Sequence, residues 1–206
     1  NSLLRSYFPV SKKSNNTLFL LDAQTNLPIE LYPTVISEGF GEESEIHKQF
    51  AEYITNFCKQ HNIEVKDMNE ETVTIRGLAR NDNIIELNPL LNDTGRLSTL
   101  LHEVGHELLH FSANSNKMSI EQKEIEADIF SMLMLRRYGF EIPDSRSKHF
   151  VDNYRSLDDK DGKLLQESFD RVMKEYSKTV QLISTEFAAE MQATEEVSNQ
   201  ITMVMG

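Results

Sequence analysis

The stretch Leu97-Ser98-Thr99-Leu100-Leu101-His102-Glu103-Val104-Gly105-His106-Glu107-Leu108-Leu109-His110 joins a helical apolar period to a ladder of histidines. Leu97, Leu100, Leu101, Val104 and Leu108 recur at spacings of three and four, which predicts a helix over about 94–111. On a helix, residues four apart stand one above the other. The imidazoles of His102 and His106 therefore face a common point, as an HExxH motif requires. Glu103 lies about 100° further round the axis, within reach of a water at that point without being a ligand. Zinc lowers the pKa of such a water towards neutrality, and a carboxylate at that position accepts its proton as it attacks a carbonyl.

The ladder carries a second frame, because His106-Glu107-Leu108-Leu109-His110 has the same form. Each step of four residues drifts by about 40°, so His102 and His110 diverge by about 80° and one ion does not take all three. We favour the first frame, in which Gly105 lets a third ligand approach the helix closely. A tetrahedral catalytic zinc asks for a third protein ligand and an open position. The extended HExxHxxGxxH form is excluded, since Leu109 and Ser112 stand where it needs Gly and His. The next helix offers Glu124, Glu126 and Asp128, of which Glu124 and Asp128 share a face.

Working outward, Ser119-Ile120-Glu121-Gln122 fits a capping box, with Ser119 as N-cap and Gln122 reaching back. The helix it opens runs to about Tyr138, where Gly139 and then Pro143 stop it. Upstream, 42–61 has one apolar face formed by Ile46, Phe50, Ile54, Phe57 and Cys58. Strands are expected at 18–22, 72–79 and 84–87, the last two as a hairpin across Arg80-Asn81-Asp82-Asn83. From Lys163 onwards Leu165, Phe169, Val172, Tyr176, Val180, Ile183, Phe187 and Met191 mark one long helix. Its stripe suits packing on its own domain or pairing with a second copy.

Lys and Arg total 21 against 33 Asp and Glu, a formal net charge of −12. Such a surface repels phosphate backbones, and no basic cluster offsets it, so nucleic-acid binding is not expected. Cys58 is the single cysteine. An internal disulfide is therefore impossible and a cysteine-based zinc site is excluded. No apolar run is long enough for a membrane span and no signal peptide is visible, so a reducing, cytoplasmic setting fits. The chain starts at Asn1 rather than Met and reads as a piece of something longer.

Taken together, His102 to His110 and the later Glu124-Ile125-Glu126-Ala127-Asp128-Ile129-Phe130 resemble the ImmA/IrrE family of gluzincin-like zinc metallopeptidases. That family pairs HExxH with a helix of the form E-x-x-A-[ND]-x-F. The resemblance implies Glu124 as third zinc ligand, with Glu126 and Asp128 as the alternatives, and a protein substrate, since ImmA-like relatives cleave repressors. Residues 18–27 and 138–154 look like the LtrC-like and ArdC-like mobile-element members, though Phe140-Glu141-Ile142-Pro143 departs from their usual string. The position of Tyr154 resembles a family tyrosine and suggests oxyanion stabilisation.

The expectation is thus an α+β, zincin-like fold with a small, mostly antiparallel sheet, an HExxH helix and a long C-terminal helix. A peptidase domain spans 1–160, and a helical extension over 161–206 packs on it or mediates homo-oligomer assembly. Ile84 to Leu87 is the strand expected to pair with an extended substrate. The rival readings are a non-catalytic zinc-binding sensor and an antirestriction accessory module of a mobile element.

Overall fold

A computed structural model describes residues 41–69, 74–111 and 118–205, with side chains described to residue 185. The elements in chain order are α1 (Glu45–Gln60), β1 (Glu64–Asp67), β2 (Gly77–Arg80), β3 (Ile84–Leu87), α2 (Asp93–His110), α3 (Ile120–Arg137), α4 (Asp144–Ser156) and α5 (Lys163–Met205). This is the α+β class expected, although the strand predicted at 18–22 lies outside the described residues. The chain divides into two compact units, Asn1–Glu107 and Leu108–Gly206, with the division falling inside α2.

In the first unit the sheet order is β1-β3-β2. The expected hairpin forms: β2 and β3 pair antiparallel, Gly77 opposite Leu87 and Arg80 opposite Ile84. Asn83 supports the turn at φ +60, a left-handed conformation that asparagine tolerates better than most residues. β1 adds to the other side of β3 in parallel, so the sheet is mixed. β3 is therefore the central strand and cannot take a substrate strand, contrary to the expectation for Ile84–Leu87. Among the described residues the free edges belong to β1 and β2. Ile85 and Leu87 alternate inward from β3 and are fully buried, as a sheet with one covered face requires. The core of this unit adds Ile54, Phe57 and Cys58 of α1 and Leu97, Leu100, Leu101 and Val104 of α2.

α1 ends in a Schellman arrangement. Asn62 takes φ +63 and the Ile63 amide donates back to the Cys58 carbonyl at 2.9 Å. α3 ends in the same way at Gly139, with φ +83 and the Phe140 amide on the Leu135 carbonyl at 2.9 Å. At the start of α3, Ser119 accepts from the Gln122 amide at 3.2 Å, so half of the expected capping box is present. The other half is diverted: the Gln122 side chain donates to Ser168 Oγ of α5.

In the second unit α3 is the centre, with Ile125, Ala127, Phe130, Met134 and Leu135 buried. The buried line of α5 is Ser168, Val172, Thr179 and Ile183, whereas Phe169 is exposed. The helix is turned away from the purely apolar stripe because α3 presents polar groups, Gln122 and Glu126, that Ser168 and Arg171 satisfy. No helix among the described residues is long and apolar enough to cross a membrane.

Candidate metal centre

α2 places its apolar side in the core and leaves His102, Glu103 and His106 on the adjoining face. The Nε2 atoms of His102 and His106 lie 3.1 Å apart, with the rings edge to face at 87°. Two nitrogens sharing one tetrahedral zinc at ~2.0–2.1 Å stand about 3.3 Å apart. The two imidazoles are thus already spaced for a common ion. Ligand atoms of His102, His106 and Glu124 all lie within 4.8 Å of one another. Two neutral imidazoles and one carboxylate are a donor set suited to a divalent metal.

Glu103 is buried. Gly77 of β2 lies directly against it: a β-carbon on Gly77 would come to 2.6 Å from Glu103 Oε1 and 2.6 Å from Thr99 Cγ2. The glycine is there for space, since it is not among the residues with positive φ. The edge strand β2 consequently runs over the carboxylate predicted to be the base, a relation no sequence spacing announced.

The other residues of the second frame, Glu107 and His110, have surroundings of their own. Burial, helped by the nearby Asp82 charge, raises the Glu107 carboxyl to about 7. Its Oε2 meets no hydrogen-bonding partner among the described residues. His110 is buried and its Nε2 stands 3.2 Å from Glu126 Oε2. The other Glu126 oxygen accepts from Arg171 Nε of α5 at 3.0 Å. Burial favours the neutral Glu126 carboxyl, but the bonds from His110, Arg171 and Ser168 outweigh it and hold its pKa below the ordinary glutamate value.

The three carboxylates of α3 therefore have separate engagements. Glu126 binds His110 and Arg171. Asp128, wholly buried, accepts from Arg146 Nη1 at 2.8 Å and from His149 Nδ1 at 2.8 Å, both on α4. Glu124 is the one grouped with the histidine pair. Tyr154 is partly exposed and stacks on Phe150, one turn earlier in α4, with planes 2° apart and centroids 6.3 Å apart. His149, whose Nε2 is 3.7 Å from Glu124 Oε2, was not anticipated. The signal that could have pointed to it is the poverty of apolar residues over 144–156: a helix with so little to bury packs through polar pairs, and Arg146 and His149 lie one turn apart.

Searches of curated proteins and of solved structures returned no match. A family model does match, that of Peptidase_M78, the IrrE N-terminal-like domain, over residues 58–197. The match covers the HExxH helix, the Glu124 helix and α4, and it runs into α5. The chain belongs to the Peptidase_M78, IrrE N-terminal-like family, a group of metallopeptidase type.

Proposed function

We propose that the chain is a zinc-dependent endopeptidase that hydrolyses a bond in a specific cytoplasmic protein, with His102, His106 and Glu124 as ligands and Glu103 as general base. The observation that carries this reading is the spacing of the two Nε2 atoms, 3.1 Å, with a Glu124 oxygen close by. A divalent cation held there supplies Lewis acidity, which acidifies water and polarises a carbonyl. Glu103 takes the proton at a carboxylate oxygen and returns it to the leaving amine, as a general base and then acid. Its burial under β2 keeps bulk water from competing for it.

The substrate strand is assigned to the free edge of β2 instead of β3. β2 lies against Glu103, so a peptide added to that edge carries its backbone past the base. Methylating substrate amides one at a time tests this. Sensitivity at alternate residues supports strand pairing, and indifference at every position removes it.

The decisive variant is Glu103→Gln. It keeps size and burial but cannot accept a proton. Zinc content, measured by atomic absorption, should be unchanged, while cleavage of a peptide library falls by roughly 10²–10⁴-fold. If the variant cuts as well as wild type, Glu103 is not the base. If neither protein cuts and both bind zinc, the non-catalytic sensor reading takes its place.

A further inference from the structure

Within β2, Gly77 and Ala79 turn their backbone groups to the free edge. The Leu87 carbonyl of β3 accepts from the Met68 amide on the β1 side at 2.8 Å, whereas the Asn88 amide donates to the Arg76 carbonyl on the β2 side at 2.8 Å. Backbone groups alternate sides along a strand, so Leu87 and, two residues earlier, Ile85 turn theirs to β1. Their register partners on β2, Gly77 and Ala79, therefore form the pairs without mutual hydrogen bonds. The N–H and C=O groups of these two residues point away from β3. Side chains alternate as well. A β-carbon on Gly77 would lie 2.6 Å from Glu103 Oε1, so Gly77 faces α2 and Leu78 faces the other way. Leu78 is 46% exposed. Its register partner on β3 is Glu86, whose carboxylate is drawn to Arg80 at 2.9 Å and to Lys66 at 3.6 Å. The leucine thus has a charged neighbour on one flank and borders the free edge on the other.

We propose that Leu78 is a specificity-determining residue: the substrate is an extended segment that pairs antiparallel with β2 through Gly77 and Ala79 and carries an apolar β-branched or aromatic side chain opposite Leu78. The inference rests on the peptidase reading and on strand pairing at β2. Antiparallel pairing is the more stable arrangement per residue. In it the substrate residues opposite Gly77 and Ala79 exchange hydrogen bonds with them, and the residue between, opposite Leu78, forms a pair without hydrogen bonds. Such pairs bring side chains closest, with Cα atoms about 4.5 Å apart instead of about 5.5 Å. The face is fixed too, because neighbours across a sheet point the same way. The side chain opposite Leu78 lies on the outer face, and the two flanking it face α2. The preferred residue is therefore next to the one that stands over Glu103, close to the cut. A leucine that is merely exposed, as many are on protein surfaces, leaves no mark on substrate choice.

The test gives the zinc-loaded full chain a proteome-derived peptide library and reads the cut sites by mass spectrometry. Val, Ile, Leu, Phe and Tyr should be enriched at one position near the cut. In the best peptide, methylating that residue's own amide should be tolerated, and methylating the amide of either flanking residue should stop cleavage. Leu78→Thr keeps strand propensity and loses apolar reach. It should lower the kcat/KM ratio of apolar to polar residues at that position about two- to fivefold, the worth of one cross-strand pair, while Leu78→Ile matches wild type. Added to Glu103→Gln, Leu78→Thr should weaken binding of the same labelled peptide by a similar factor, read by anisotropy. Equal preference in wild type and Leu78→Thr overturns the proposal. So does an apolar preference at a residue whose own amide is required, which marks parallel pairing. Cleavage with no residue preference removes the role of Leu78 and leaves the peptidase reading standing. If zinc-loaded wild type cuts no peptide, that reading fails and this inference falls with it.

Discussion

Under the proposed mechanism Gly77 bears on catalysis without chemistry of its own. A methyl there would sit 2.6 Å from Glu103 Oε1 and 2.8 Å from its Cγ, so Gly77→Ala forces the carboxylate aside. A misplacement of about 1 Å at a reacting group can cost 10²-fold. Gly77→Ala should therefore lower kcat by roughly 10–100-fold while zinc affinity stays at the wild-type value. A variant that lost zinc in proportion to activity would show that the clash spreads to the ligands. Cys58 illustrates the opposite case, a reactive group silenced by its surroundings. Burial and then the negative charge of Glu107 push the thiol from 9.0 up to about 12. Iodoacetamide at pH 8 should leave the native thiol intact and alkylate it in urea; modification of the native chain would refute its burial. The sign of the linkage follows. The protonated thiol contributes stability that is whole below about 9 and is lost as pH climbs towards 12.

Among the elements, α5 is joined to α3 through Glu126. Removing Arg171 leaves a buried carboxylate with His110 and Ser168 only, a loss of roughly 2–3 kcal/mol. For Arg171→Ala, urea unfolding at pH 7 should show this as a lower midpoint with an unchanged slope. Glu126 has a depressed pKa, so its contribution is present above 4.5 and disappears as pH falls through the folded value. The gap between wild type and variant should therefore close in acid; a gap independent of pH would point to lost packing by the arginine stem. Elements with a strong period were legible in the sequence: the expected 42–61, 94–111 and 163-onward helices appear as Glu45–Gln60, Asp93–His110 and Lys163–Met205. The predicted hairpin also forms, though β2 begins at Gly77 and not at 72. β1 and α4 carried no such signal. Glu64-Val65-Lys66-Asp67 is mostly exposed and charged, and it is a strand only because β3 offers it an edge. α4 buries a single residue, Arg146, so what seats it is the charge on Asp128. In the candidate site, spacing was enough to face His102 towards His106, but it could not say which carboxylate of α3 is grouped with them. That depends on Glu126 and Asp128 being taken by partners distant in sequence, and long-range pairing of polar side chains leaves no periodic trace.

For the molecule as a whole, the net charge of −12 acts in two directions at once. A negative field raises the local concentration of divalent cations and lowers that of phosphate backbones. The first effect favours loading of a His, His, Glu donor set. The second bears on the rival in which the chain acts by binding DNA during transfer of a mobile element. Such binding is driven by release of counterions, and its affinity falls steeply with salt in proportion to the phosphates neutralised. Several described cations that could neutralise them are engaged: Arg80 and Lys66 pair with Glu86, Arg96 with Asp67, Arg146 with Asp128, and Arg171 with Glu126. The full chain at about 10 μM, in roughly 50 mM salt, should leave the anisotropy of labelled single- and double-stranded oligonucleotides unchanged, because non-specific binders at such salt hold DNA at micromolar levels or better. Micromolar binding that weakens as salt rises would sink this expectation. It would mean that a local basic surface overrides the net charge, and that the peptidase and DNA readings must then be tested together with Glu103→Gln in the same binding assay.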